Sequence, residues 1–366
     1  MHTKRATVLD HLRMIWAIAV KDILDAIKNR TTLAIMLGSA IMLLTGQVLP
    51  LTGRLQDEPR ALYYDLGNSA LLIELAFGQD IGLRPFDSQE SLEMTIAENP
   101  AAIIGLLIPQ DFDSLAEQGA SIVLEAFQAH WADQAKIARY ADFYEEQISQ
   151  AVGAQVTLAF RKTDLYPSYN ASGIPNLIAS SMALVVIVIG ASLVPYLFIE
   201  EKEARTFEAL LVSPASPTDT VLGKALSGLF YCILVGLVAV VISFYMIVHW
   251  EAAALAILLG GLLAVSLGLL FGMLFDNAAS LSLWAGMAIL IFLVPIILDS
   301  AIITRLPVIV TQIVPWIPTV HIARLLRLSF AGDYPTSVLL QSVGVLLLAS
   351  ALLLAPVVWL VKRYER

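Results

Sequence analysis

Residues 198–226 read FIEEKEARTFEALLVSPASPTDTVLGKAL, and residues 200–205 hold five charges in six positions: Glu200, Glu201, Lys202, Glu203 and Arg205. On either side the chain is apolar. Neither 165–199 nor 225–250 contains Asp, Glu, Lys or Arg. A bilayer core of ~30 Å takes roughly 20 apolar residues per helix. The charged stretch therefore reads as a brief return to water between two spanning helices, and the fold follows from extending that reading along the chain.

Four further charge-free runs occur, at 31–53, 252–275, 277–298 and 334–361. They predict six spans, at about 32–52, 175–199, 225–248, 252–275, 278–298 and 337–361. The composition agrees: 58% of the 366 residues are hydrophobic and 14% are charged, where a soluble domain carries about a quarter charged residues. The first run follows some thirty mostly polar or amphipathic residues and is too long for the apolar core of a signal peptide, so it is expected to remain as an anchor. The single cysteine, Cys232, lies inside an apolar run and reads as a small packing residue, with no disulfide framework.

An even number of spans puts both termini on one side. Lys4, Arg5, Arg13, Lys21, Lys28 and Arg30 precede the first span, and Lys362, Arg363 and Arg366 follow the last. Positive charge beside span ends stays cytoplasmic, so both termini and the 200–224 loop are expected inside. Residues 54–172, 249–251 and 299–335 are then outside, with Arg305, Arg324 and Arg327 against the bias. The net charge of −9 comes mostly from 54–164 and by itself says little about nucleic acid, which is not expected as a partner.

Within that frame the chain divides into a cytoplasmic segment (1–30), a first span (31–53), an extracytoplasmic domain (54–172) and the remaining five spans (173–366). Residues 9–30 carry Leu12, Ile15, Trp16, Ala19, Val20, Ile23, Leu24 and Ile27 at helical spacing, with Asp10, Arg13, Lys21, Asp22, Asp25 and Lys28 mostly on the other face. This predicts an amphipathic helix at the inner interface, with Trp16 at headgroup level; a helix packed on a soluble partner is the alternative.

Residues 54–165 alternate strand-like and helix-like runs: ALYYDL, SALLIELAFGQ, IGLRPF, SQESLEMTIAEN, AAIIGLLI, DFDSLAEQG and SIVLEAF, then a helix over about 131–162. This predicts a small mixed α/β domain, with Asp87 or Ser88 capping one helix and Pro109–Asp111 starting another; His130 is expected alone at its surface. Residues 299–335, broken by Pro307, Pro315, Pro318 and Pro335, predict short re-entrant or interfacial helices before the sixth span. Gly260, Ala264, Gly268 and Gly272 recur every four residues and predict close helix packing inside the subunit or at a dimer seam.

No phosphate-binding G-x-x-x-x-G-K-[ST], zinc H-E-x-x-H, paired-cysteine site or G-x-S-x-G nucleophile elbow occurs. The predicted span cores contain no ionisable carboxylate, lysine or arginine, where ion-coupled transporters keep charge for function. If the chain moves a solute, its energy comes from elsewhere and no cofactor is expected on the chain itself. A pathway would be lined by Ser180, Ser181, Ser192, Tyr196, Ser227, Tyr231, Ser243, Tyr245 and Trp284, or these make ordinary packing contacts; such a lining suits an amphipathic or hydrophobic substrate.

The charged stretch is expected to be a short helix, ended by Pro214 and Pro217, with Phe207, Leu210 and Leu211 on its apolar stripe. It resembles the E-K-E-x-x-T-x-E-x-L-L-x-[ST]-P segment of type 2 ATP-binding-cassette exporter permeases, at Glu201, Lys202, Glu203, Thr206, Glu208, Leu210, Leu211, Ser213 and Pro214. Many members have Arg–Gly before the threonine, where this chain has Ala204–Arg205. KDILDAIKNR before the first span and VPWIPTVHIARLLRLSFAG before the last are similar to the family's layout.

The resemblance implies a polytopic α-helical membrane protein of six helices in a cell inner or plasma membrane. It implies that the segment, with Glu200 and Arg205, docks a separate ATP-binding subunit that holds ATP and magnesium. It also implies a second permease subunit, identical or paralogous, and contact with membrane lipids. A membrane-anchored sensor or scaffold, led by the 54–172 region, and a secondary transporter or channel are the competing readings.

Overall fold

The computed structural model describes residues 8–55, 57–73, 82–99, 101–171, 173–203, 216–299 and 307–364. It divides into two compact units. One comprises Met1–Gly46, Asn176–Ser329 and Tyr334–Arg366; the other Gln47–Pro175 with Phe330–Asp333.

The first unit is helical. It contains α1 (Val8–Lys28), the start of α2 (Arg30–Leu55), α6 (Ile174–Glu203), α7 (Pro217–Ile242), α8 (Trp250–Leu274), α9 (Ala278–Leu298), α10 (Val308–Ile313), α11 (Pro318–Phe330) and α12 (Thr336–Tyr364). Six of these helices are long and apolar enough to cross a membrane: Arg30–Val48, Ile174–Glu203, Pro217–Ile242, Trp250–Leu274, Ala278–Leu298 and Thr336–Arg363. The pair Val308–Trp316 and Pro318–Phe330 is bent by 77° at the prolines predicted to interrupt it. The chain is thus a polytopic helical membrane protein.

α6 is the central helix, with Ile189, Leu193, Val194, Leu197 and Phe198 buried against Tyr231 and Cys232 of α7 and Ala264, Val265 and Leu269 of α8. The four-residue stripe on α8 serves this packing. A Cβ at Gly268 would run into the Gly190 carbonyl oxygen, and one at Gly272 would lie 2.7 Å from the Phe198 ring. Gly260 instead faces Ile322 of α11. Small residues thus let backbones approach within the subunit.

Three helix boundaries differ from the sequence expectation. α6 runs on to Glu203, so Glu200–Glu203 form the last turn of a spanning helix and not a separate element. α7 begins at Pro217, well before residue 225. Ser216 caps it, accepting from Asp219 N while the Asp219 carboxylate accepts from Ser216 N, and Pro217 fills the first helical position. Proline is favoured there because its missing N–H needs no partner, so Pro217 starts a helix where it was expected to end one. α7 also stops at Ile242, and a 3₁₀ turn, Phe244–Met246, follows.

The second unit is a mixed α/β fold. Its sheet has β1 (Ala61–Asp65), β2 (Leu83–Pro85), β3 (Ile104–Ile108), β4 (Ile122–Phe127) and β5 (Val156–Phe160) in the order β2-β1-β3-β4-β5. β1 pairs in parallel with β2 and β3, β4 is antiparallel to β3, and β5 is parallel to β4. Helices α3 (Gln89–Glu98), α4 (Phe112–Glu117) and α5 (Gln134–Val152) cover it. Ser88 caps α3 and Asp133 caps α5.

The helix expected over 131–162 is shorter. Gly153 takes the left-handed conformation (φ 69°) that ends α5, and 156–160 become the sheet's last strand. His130 is half-buried, stacked on Tyr166 at 4.4 Å between ring centroids, and not a lone surface residue.

Candidate functional site

Where α1, α6 and α7 meet, four charged side chains converge. Lys224, in the second turn of α7, is fully buried. Its Nζ lies 2.8 Å from Glu201 Oε2 and 3.2 Å from Asp22 Oδ2, and donates to the Leu197 carbonyl oxygen at 3.3 Å. The Phe198 ring centroid is 5.1 Å away. Glu201 also accepts from Lys21 Nζ at 3.2 Å. Two carboxylates and two ammonium groups balance, and their mutual attraction offsets part of the desolvation cost of the three that are buried. Burial pushes the Asp22 carboxyl above its usual range, and the Lys224 charge offsets that only in part. Burial works to lower the Lys21 pKa, but the carboxylates of Glu201, Asp22 and Asp25 together leave it raised.

The elements that hold this cluster are themselves tied at their ends. Asn29 separates α1 from α2; its Oδ1 caps α2 by accepting from Thr31 N and Thr32 N at 2.8 and 3.2 Å. Its Nδ2 donates to Glu200 Oε1 at 2.7 Å. Tyr231 donates its hydroxyl to the Ile23 carbonyl at 2.6 Å, and His11 Nδ1 sits 2.8 Å from the capping Asp219. Lys202 donates to the Phe275 carbonyl and to Asp276, both at 2.9 Å, and Glu203 accepts from Ala278 N at 3.2 Å. The last turn of α6 is therefore bonded to α1, to the start of α2, to α7 and to the α8–α9 turn.

Of the residues singled out from the sequence, Glu200, Glu201, Lys202 and Glu203 meet here. Arg205, Thr206, Glu208, Leu210, Leu211, Ser213 and Pro214 lie outside the described residues. On α1, Trp16 is exposed on an apolar side and Lys28 and Arg30 flank the joint to α2. Asp22, assigned to the polar face, is buried in a stripe with Ala19 and Ala26. Sequence reasoning missed Lys224, Asn29, His11 and Asp219. Two signals were readable: a carboxylate at position 22 amid the 15/19/26 apolar spacing, and the Ser216–Asp219 capping pattern.

A second polar cluster joins α6, α9 and α11. Asp299, at the end of α9, receives both Arg324 and Arg327, one helical turn apart. Arg327, 3% exposed, also donates to Asn176 Oδ1 at 3.0 Å. His321 Nε2 donates to the Pro315 carbonyl at 2.8 Å, which leaves Nδ1 to accept from the Ser342 hydroxyl at 3.0 Å. Arg305 lies outside the described residues.

The hydroxyl and aromatic residues considered for a pathway make mostly local contacts among the described residues. Ser181 donates to Ile178 O and packs on Gly46, Ser227 donates to Lys224 O, and Tyr231 is tied to α1. Ser180 is buried and Ser192 half-buried on α6. Tyr196 packs beside Leu281, and Trp284, half-exposed, stacks on Phe275. Ser243 caps the end of α7, and Tyr245 lies in the 3₁₀ turn. A wholly apolar cavity of about 270 Å³ lies instead between Ile187, Leu263, Leu267, Phe292, Pro318 and Leu352.

No group of His, Cys, Asp and Glu among the described residues is placed to hold a metal ion. No curated protein matches the chain. The pattern of the family described as ABC-2 family transporter protein matches residues 30–359, from the first apolar helix into the sixth. With nine-tenths of its length so matched, the chain belongs to the ABC-2 family of transporter permeases, whose members are the transmembrane component and not themselves catalytic.

Proposed function

We propose that this chain is the transmembrane subunit of an ATP-driven exporter. A separate ATP-binding subunit, holding ATP and magnesium, docks on the segment that leaves α6 at Glu203 and on α1. A second permease subunit, identical or paralogous, completes the pathway. The protein sits in a cell inner or plasma membrane with both termini cytoplasmic, the α/β unit outside, and the bent α10–α11 pair re-entrant at the outer face. The apolar side of α1, with Trp16, rests in the inner lipid interface.

The observation that carries this reading is the bonding of the last turn of α6. Glu201 begins the family-like segment and Glu200 precedes it, and these two side chains are bonded to Asn29, Lys21 and Lys224. Force applied to the segment by closure of the ATP-binding subunit reaches α1 and α7 at once, through ion pairs in a low-dielectric setting where Coulomb attraction is strong. The pairing of Arg324 and Arg327 with Asp299 supports the outward placement of that end, since it neutralises part of the positive charge that would oppose it. The apolar cavity among the spans suits a hydrophobic or amphipathic cargo.

The test is transport. Inverted vesicles holding the chain together with a P-loop ATPase that co-purifies with it should accumulate an amphipathic dye only with hydrolysable ATP. Uptake driven by an ion gradient with the chain alone would replace this reading with a secondary transporter.

A further inference from the structure

The α/β unit contains a polar cavity that the helical unit's function does not use. Its volume is about 660 Å³, within the ~300–1,000 Å³ range of small-molecule sites. It lies against the edge of the sheet. Leu62 and Arg84 are register partners on β1 and β2, and side chains alternate along a strand. Arg60, Leu62, Arg84 and Phe86 therefore project from one face of the two edge strands. The opposite face, Ala61, Tyr63 and Leu83, belongs to the core. Thr95 and Asn99, one turn apart on and after α3, and Phe143 of α5 also line it, with Glu58 at the rim beside Arg60.

The frame is rigid. Ala61 N donates to Gly82 O and Ile104 N to Arg60 O, both at 3.2 Å, and Phe86 N donates to Tyr63 O at 2.8 Å. The Asn99 carbonyl accepts from the Trp131 indole at 3.0 Å. Among the described residues the lining carries two arginines, Arg60 and Arg84, against one carboxylate, Glu58. Arg60 meets Glu58 at 3.6 Å, an exposed pair of the kind that contributes little. Arg84 has no ion-pair or hydrogen-bond partner among the described residues and faces a cavity that also carries Phe86 and Phe143.

We infer that this cavity binds an amphipathic organic anion, its carboxylate, sulfonate or phosphate held by Arg84 and Arg60 and its apolar body against the two phenylalanines. Guanidinium groups present paired donors that match such oxyanions. The α/β unit is then a ligand-binding module in its own right, and this holds whether or not the helical unit is an exporter.

Fluorine NMR of the full chain in phosphatidylcholine nanodiscs tests this, with 4-fluorophenylacetate, 4-fluorophenyl phosphate and 4-fluorobenzenesulfonate as probes and 4-fluorophenethylamine as the cationic match. Saturable broadening is expected for at least one anion and not for the amine. Arg84→Ala should weaken it about tenfold or more, the loss of one charged hydrogen-bonding group, with partial retention in Arg84→Lys. The exposed Lys162→Ala should leave it unchanged. Absence of saturation by all three anions, equal binding of the amine, or binding indifferent to Arg84→Ala would overturn the proposal. Both arginine variants alter an exposed side chain, so an intact thermal unfolding profile separates lost binding from lost fold.

Discussion

Lys224 has no solvent exposure, and its ammonium nitrogen lies 2.8 Å from a carboxylate oxygen of Glu201 on the neighbouring helix. The pair is short, buried and shared with Asp22. It links the turn of α6 that leads into the charged segment to the second turn of α7 and to the middle of α1.

Removing one partner of a buried ion cluster leaves uncompensated charge, at about 3–5 kcal/mol. Lys224→Met should therefore lower stability by that order. The combination Lys224→Met, Asp22→Asn and Glu201→Gln should recover much of it, because no buried carboxylate is then left unpaired. Cys232 is buried, so a thiol-reactive fluorogenic dye reports the unfolding temperature directly. Equal stability of Lys224→Met and the parent would mean the cluster is not formed.

Glycine positions on the helices should divide sharply. Gly268→Val places side-chain atoms against the Gly190 carbonyl, and such overpacking costs about 1–3 kcal/mol or more. Gly286→Ala meets nothing within 4 Å and should be neutral or slightly stabilising through helix propensity. Thermal unfolding of the two variants in one detergent checks the contrast.

Asp299 serves two arginines, so Asp299→Asn should be more damaging than Arg324→Gln. The first strands Arg327, 3% exposed, without its carboxylate, while Arg324 keeps a fifth of its side chain in reach of solvent. The expected order is a loss of about 3–5 kcal/mol against a clearly smaller one. A reversed order would contradict the placement of Arg327.

In the α/β unit, Gly153→Ala should destabilise by about 1 kcal/mol, since φ 69° is strained for any residue with a Cβ. Urea unfolding followed by the fluorescence of Trp131 checks it, with the other tryptophans replaced by phenylalanine.

The apolar helices were legible because a span needs an uninterrupted run, and interruption by charge is visible in one dimension. The strands ALYYDL, AAIIGLLI and SIVLEAF were legible for the same local reason. β5 was not: residues 156–160 follow a strongly amphipathic helix with only Gly153 to mark the break. The start of α7 was misread because Pro217 was weighed as a terminator and the Ser216–Asp219 box beside it was not. Lys224 was placed in a loop because a cation before an apolar run ordinarily seeks water; its partner Asp22 is 202 residues away. Asp22 in the apolar stripe of α1 signals that a buried partner exists, but a pairing of that separation does not say which residue it is. The charged segment itself was recognisable, but recognition came from resemblance; its bonding to Asn29 and Lys21 came only from three dimensions.

The measurement that bears most directly on the central claim is co-purification. The tagged chain is extracted in mild detergent, and the P-loop ATPase associated with it is quantified for the parent and for Glu203→Lys combined with Arg205→Glu. Glu203 is exposed, so the fold should survive. The account predicts that the ATPase accompanies the parent and is lost, or reduced at least tenfold, from the variant while Cys232 stays protected. An ATPase retained equally by both, or absent from the parent in every detergent, would contradict docking at the end of α6.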